Sequence, residues 1–221
     1  MMKTLLGLVL ILMSASVIAK KTDCHEWLQN VASGNLPELM ALSTTSECIS
    51  AQSSDGKSAL YIATENDDGK MVAWLIHQGA DVNQRASYDS INFTPFLMAG
   101  AKGKNDALKA LLKGDVDFER VNYYGGTALI PAAEKGHLET VAILLNDGRT
   151  NIDHVNNLGW TALLEVAILG RDTPTYQKVV QLLLEHGADA GIADRDGMTA
   201  IQHARKRGLT KITSILSRHL Y

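Results

Sequence analysis

Five segments of this 221-residue chain can be laid over one another: GKSALYIA (56–63), NFTPFLMA (92–99), GGTALIPA (125–132), GWTALLEV (159–166) and GMTAIQHA (197–204). Their hydroxyl residues, Ser58, Thr94, Thr127, Thr161 and Thr199, stand 36, 33, 34 and 38 residues apart. Nine residues beyond the hydroxyl a glycine recurs in four of the five, as Gly103, Gly136, Gly170 and Gly208. Apolar pairs follow (Leu75-Ile76, Leu111-Leu112, Leu144-Leu145, Leu183-Leu184, Ile215-Leu216), then loops such as GADVN (79–83) and GADAG (187–191). A repeat of this period constrains the fold more than composition can. It means one small unit built several times, each unable to bury its apolar face without a neighbour.

Each recurring residue has a local task. The hydroxyl suits an N-cap, where its oxygen accepts a hydrogen bond from an otherwise orphan amide. Residues two and five positions later, such as Leu129 and Ala132, lie on one face of a short helix. The glycine suits a left-handed C-cap, which a Cβ makes costly. A second helix returns antiparallel with its Leu pair on the first, and the loop leads out to a turn before the next cap.

These residues resemble the ankyrin repeat, whose signature includes T-P-L-H-x-A in about 33 residues. The match covers most of the chain. Its departures are mild: the motif's Pro survives only as Pro95, and its His is replaced by Tyr61, Leu97, Ile130, Leu164 or Gln202. The resemblance implies an all-α solenoid of helix-turn-helix units joined by hairpin loops, with about five clear repeats. A divergent sixth copy precedes them, in which HEWLQN (25–30) and LPELMAL (36–42) supply the helices of an N-terminal cap. The expected units are 22–52, 53–84, 85–120, 121–154, 155–192 and 193–221, together a domain of residues 20–221.

Residues 1–19 read as a signal peptide: Lys3, an apolar run from Leu5 to Met13, and small residues ending at Val17-Ile18-Ala19, with cleavage expected after Ala19. The run is far short of the roughly 20 residues a transmembrane helix needs, and no second apolar span follows. Removing Lys3 leaves 20 Lys+Arg against 24 Asp+Glu. That balance lacks the basic footprint of a nucleic-acid binder or of an anionic-membrane binder. Two cysteines, Cys24 and Cys48, behind a signal peptide point to a disulfide. In a helical hairpin of the implied kind they fall at neighbouring ends, so the expected bridge staples the terminal repeat.

Chemistry is sparse. HEWLQ (25–29) lacks the second His of a zinc-protease motif, and DRDG (194–197) lacks the later carboxylates of a calcium loop. Asp67-Asp68 read as a solvated insertion between helices. NFT (92–94) is a formal glycosylation sequon whose Thr94 is needed as a cap. No nucleophile elbow, P-loop or dinucleotide fingerprint occurs. The expectation is therefore a protein without catalysis, cofactor or metal, monomeric when free.

Such an array works through its surface. Ankyrin proteins, as the resemblance implies, meet partners at the hairpin tips and the exposed ends of the first helices. There the fifth unit is apolar where its neighbours are charged: Ile168-Leu169 stand where the others have Ala101-Lys102, Glu134-Lys135 and Lys206-Arg207, and Trp160 precedes the capping threonine where the others have Lys57, Phe93, Gly126 and Met198. Tyr88 and Phe93 in the third unit, Tyr123 and Tyr124 in the fourth, and Tyr176 in an insertion around RDTPTY (171–176) complete the expected partner-binding set. The alternative is that this insertion folds over Ile168 and Leu169, and that Tyr123 and Tyr124 pack within their own hairpin. Resemblance to periplasmic ankyrin proteins implies a periplasmic binding module whose partner is another exported protein. An inhibitor or self-protection partner of a cell-wall hydrolase such as a peptidoglycan peptidase, acting by steric occlusion, is preferred. The alternative role is an accessory factor for peroxide defence beside catalase, or an envelope assembly scaffold.

Overall fold

A computed structural model describes residues 23–42, 46–87 and 92–219. The segment 1–19 and Tyr88 lie outside the described residues. The chain builds α1 (Cys24–Ala32), α2 (Leu36–Ala41) and α3 (Ser46–Ser50), followed by five helical hairpins. These are α4 (Ala59–Glu65) with α5 (Gly69–His77), α6 (Pro95–Lys102) with α7 (Asn105–Leu111), and α8 (Leu129–Glu134) with α9 (Leu138–Asp147). The last two are α10 (Ala162–Leu169) with α11 (Pro174–Glu185), and α12 (Ala200–Lys206) with α13 (Thr210–Ser217). First helices stack in the order α1, α4, α6, α8, α10, α12; second helices stack as α5, α7, α9, α11, α13. Between the layers runs one continuous apolar core from Trp27 to Leu216. Apart from two isolated β-bridges in the hairpins, the described residues hold no strand.

The capping hydroxyls explain most helix starts. Ser58, Thr94 and Thr161 accept from the amides of Tyr61, Leu97 and Leu164 at 3.2, 3.2 and 3.3 Å, and Thr199 forms a capping box with Gln202. Thr127 is the exception. Its Oγ1 is buried with no partner, and α8 begins only at Leu129. Pro131 supplies the reason. In the other four units the residue at this position donates its amide to the capping residue's carbonyl, at 2.9 to 3.1 Å. Proline has no such donor, and its ring crowds that carbonyl.

The turns after the first helices also differ among themselves. Gly103 is left-handed, with φ 68°. Where the second unit has no glycine, Asp67 takes φ 58° instead, and its carboxylate accepts from the amide of Ala107, capping α7 in the next unit at 2.9 Å. Asp68 accepts from Met71 at the start of α5. Asp67-Asp68 is thus a pair of helix caps rather than the solvated insertion expected. Gly170 departs in the opposite sense: its φ is −65°, so it is not a left-handed cap. Its glycine is required by space, since a Cβ would lie 2.5 Å from the carbonyl oxygen of Val166 and 3.0 Å from the Tyr176 ring.

Close stacking of the first helices depends on small residues. A Cβ on Gly100 in α6 would lie 2.7 Å from both the Cβ and the carbonyl oxygen of Ala128. Gly100→Ala gains about 1 kcal/mol of helix propensity but overpacks against backbone, at a cost of about 1–3 kcal/mol. The steric cost wins. The expected result is a lower urea midpoint; a midpoint equal to or above that of the parent protein shows that the interface yields freely.

Cys24 in α1 and Cys48 are joined in a disulfide, with Cα atoms 4.9 Å apart. Cys48 follows the second helix and sits buried within a short helix of its own, α3.

Candidate partner-binding groove

The hairpins between units are held by one repeated device. The Oδ1 atoms of Asn122, Asn156 and Asp194 each accept two amides across their turn: Tyr124 and Gly126, Leu158 and Trp160, Asp196 and Met198. Neighbouring hairpins are cross-linked, with the Asn157 amide donating to the Tyr124 carbonyl at 2.9 Å and the Arg195 guanidinium to the Asn157 carbonyl at 2.6 Å. Backbone paired in this way gives its side chains fixed positions.

Trp160 and Phe93 precede the capping threonines of their units, and the corresponding residue between them is Gly126. With no side chain there, a groove of about 270 Å³ opens between hairpins and first helices. Tyr124, Leu158, Trp160, Ile130, Pro131 and Leu169 form its apolar walls.

The expected anchors divide. Tyr124, Trp160 and Leu169 share the groove, with Tyr124 55 % and Leu169 48 % exposed. Tyr123 is 68 % exposed at the hairpin tip and meets Tyr124 edge-on, ring centroids 5.5 Å apart, so the two tyrosines are both packed and accessible. Ile168 is partly buried against the core. Phe93 also lines the groove, but as a core residue only 6 % exposed. Tyr176 is partly buried and joins two units. Its hydroxyl donates to the Glu134 carbonyl at 2.9 Å, and its ring packs over Gly136 and Gly170. Asp172 of the same insertion accepts from the amides of Lys211 and Ile212, capping α13. The insertion therefore fastens neighbouring units together. It leaves Leu169 exposed.

One residue of the groove went unremarked in the sequence. Glu165 lines it while being only 5 % exposed. Its Oε1 accepts from the Asn156 amide group at 2.8 Å, and its Oε2 is buried with no partner. Burial pushes the carboxyl up to about 7, the nearby Glu134 carboxylate adds to the rise, and the Asn156 hydrogen bond opposes it. A signal was available. Four residues after the capping hydroxyl stand Ile62, Met98, Pro131, Glu165 and His203, and Glu165 interrupts an otherwise apolar helix. In the last unit the corresponding pair, Asp194 and His203, is satisfied at 2.6 Å; Asn156 and Glu165 leave one oxygen over.

Chemically, the groove presents apolar walls around a buried carboxylate. Among the described residues no three His, Cys, Asp or Glu side chains converge to hold a metal, and no helix is long and apolar enough to cross a membrane.

Comparison with known proteins agrees with this architecture. The profile of three tandem ankyrin repeats matches residues 96–194, and the single ankyrin repeat matches residues 55–87. YahD, an ankyrin repeat protein of Escherichia coli K12, is 37 % identical over 161 residues, spanning 73 % of this chain and 79 % of YahD. The solved ankyrin repeat domain from Acinetobacter baumannii AYE is 42 % identical with a TM-score of 0.79, covering 89 % of this chain and 98 % of its own. The ankyrin repeat protein EF0377 is 39 % identical with the same TM-score, covering 88 % and 96 %. The recurring caps, the paired helical layers and these relatives all lead to one assignment: the chain belongs to the ankyrin-repeat family, a fold of protein-binding modules.

Proposed function

We propose that this protein is exported to the periplasm and there docks another exported protein in the groove between its fourth and fifth units. The preferred partner is a cell-wall hydrolase such as a peptidoglycan peptidase, held inactive by steric occlusion as an inhibitor or self-protection partner. The observation that carries the docking surface is the cluster of exposed Tyr124, Leu158 and Leu169 around half-buried Trp160, on a hairpin scaffold fixed by backbone hydrogen bonds. Large aromatic and aliphatic side chains gathered at one concavity are the anchors from which binding energy comes. The N-terminal run behind Lys3 and the Cys24–Cys48 bridge support export, since disulfides persist in oxidising compartments.

The test is capture from the host's envelope fraction, followed by a hydrolase assay on the captured protein. The double variant Trp160→Ser/Leu169→Ser leaves the buried face of α10 intact and is expected to weaken capture at least about tenfold. A one-to-one complex that blocks peptidoglycan cleavage supports inhibition. Capture without inhibition points instead to peroxide defence or envelope assembly. Undiminished capture by the folded double variant places the interface elsewhere.

A further inference from the structure

The groove's apolar walls explain why a partner would dock, but not why a carboxylate sits beneath them. Glu165 lies in the first-helix layer between Leu164 and Val166, with its Oε2 buried and unpartnered. Such a group normally costs stability unless something pairs with it. Nothing in the resting protein does. Glu134, which shares the groove, has the same charge and repels it. Lys135 also lines the groove, but its ammonium is exposed and donates to the Ala101 carbonyl at 3.1 Å, leaving Glu165 Oε2 without a partner. The last unit resolves the same position differently, placing His203 there against Asp194 at 2.6 Å. In the fifth unit the corresponding partner, Asn156, is neutral and satisfies only one of the two carboxylate oxygens.

We propose that the groove is a receptor for one basic side chain, a lysine or arginine presented by a protein partner, with Glu165 and Glu134 as its counter-charges and Trp160, Leu158 and Leu169 around its alkyl stem. The chemistry selects this ligand over others. Two like charges sharing one low-dielectric site are relieved by a cation and not by a neutral donor. A lysine or arginine has the required form, a long apolar stem carrying a charged head, and an indole face beside the head adds cation–π attraction. A divalent metal is disfavoured because only two carboxylates meet there, one of them already bonded to Asn156. The groove's volume of about 270 Å³ falls just under the roughly 300 Å³ at which drug-sized ligand sites begin. It therefore suits one side chain better than a whole metabolite. This inference rests on the groove being the docking face.

The experiment titrates the isotopically labelled protein at pH 8 with Nα-acetyl-lysine methylamide and with its arginine counterpart. The neutral control is Nα-acetyl-norleucine methylamide, which has an apolar stem of similar length. The readout is the Trp160 indole N–H resonance, assigned with Trp160→Phe. The basic probes should shift it saturably, and norleucine should bind at least about tenfold more weakly. Glu165→Gln, which keeps the side chain's shape and its oxygen acceptor for Asn156, should weaken the basic probes by a similar factor and leave norleucine unchanged. Equal binding of lysine and norleucine, undiminished binding by Glu165→Gln, or no saturable shift up to ~50 mM would each overturn the proposal. Its failure is separable from that of the docking face. Capture of a partner lost by Trp160→Ser/Leu169→Ser but fully retained by Glu165→Gln keeps the groove and removes the basic anchor.

Discussion

Removing the Cys24–Cys48 cross-link is expected to cost about 3 kcal/mol, the largest single loss foreseen for this protein. The bridge closes a loop across a sequence separation of 24, and a cross-link of that span restricts the unfolded chain by about this much. The consequence should be local. In a solenoid each unit touches only its neighbours, and among the described residues α1 has a first-helix neighbour, α4, on one side alone. Cys24→Ala/Cys48→Ala should therefore fray residues 23–50 first. Hydrogen exchange of α1 amides should accelerate by about a hundredfold or more at neutral pH, while α10 and α12 keep their protection. Exchange in α1 matching that of the disulfide-bonded protein would show that packing of Trp27, Leu28 and Val31 holds the cap without the bridge. The same comparison bears on compartment: a protein that needs its bridge for a stable terminus is suited to an oxidising environment.

Glu165→Gln is expected to stabilise the protein at pH 8 and to leave it nearly unchanged at pH 4. Burial, reinforced by Glu134, raises the Glu165 carboxyl from 4.5 to about 7 in the folded chain. Between those values the folded state holds a proton that the unfolded state has released. Stability therefore falls as pH rises from about 4.5 to about 7, then levels. Water reaching the groove moderates the full effect, which is set at about 2 kcal/mol, or ~4–8 °C in Tm for a domain of this size. Glutamine carries no charge at any pH and retains the Asn156 bond. The charged and polar groups that share the groove with Glu165 are Glu134 at the end of α8, Lys135 just beyond it, and Asn122 and Asn156 on the hairpins. Melting curves of parent and variant from pH 4 to 8 decide the matter. Parallel curves with no gap opening above pH 5 would mean that Glu165 is hydrated rather than buried.

A destabilising group retained in a binding groove fits the role proposed for it. Apolar residues at the same position in the second and third units, Ile62 and Met98, show that the scaffold accepts them there. A carboxylate that costs stability in the free protein becomes an asset once a cation arrives to pair with it.

Much of this was legible in the chain itself. The hydroxyl-to-glycine spacing carries helix, turn and second helix because caps and left-handed turns are local, decided by residues within a few positions of one another. Where the reading failed, a contact from outside the window intervened. Pro131 removed the amide that would have closed the turn at Thr127. Asp67 looked like an insertion because the helix it caps, α7, belongs to the next unit. The 171–176 insertion looked like a surface loop because its attachments, Glu134 and the start of α13, lie in the units before and after it.

The sequence by itself determined the repeat, the order of the helices and the apolar excess of the fifth unit, since periodicity fixes which face of each helix must be buried. Only the tertiary structure decided which of those apolar residues stayed accessible. Phe93 and Trp160 stand at the same position in the repeat and both line the groove, yet Phe93 is buried in the core while Trp160 is only partly buried against it. The difference arises from the side chains that neighbouring units present and from the gap left at Gly126. Glu165 was decided in the same way: its residue type and position were plain in the sequence, but its unpartnered Oε2 is a property of what α8 and the hairpins bring around it.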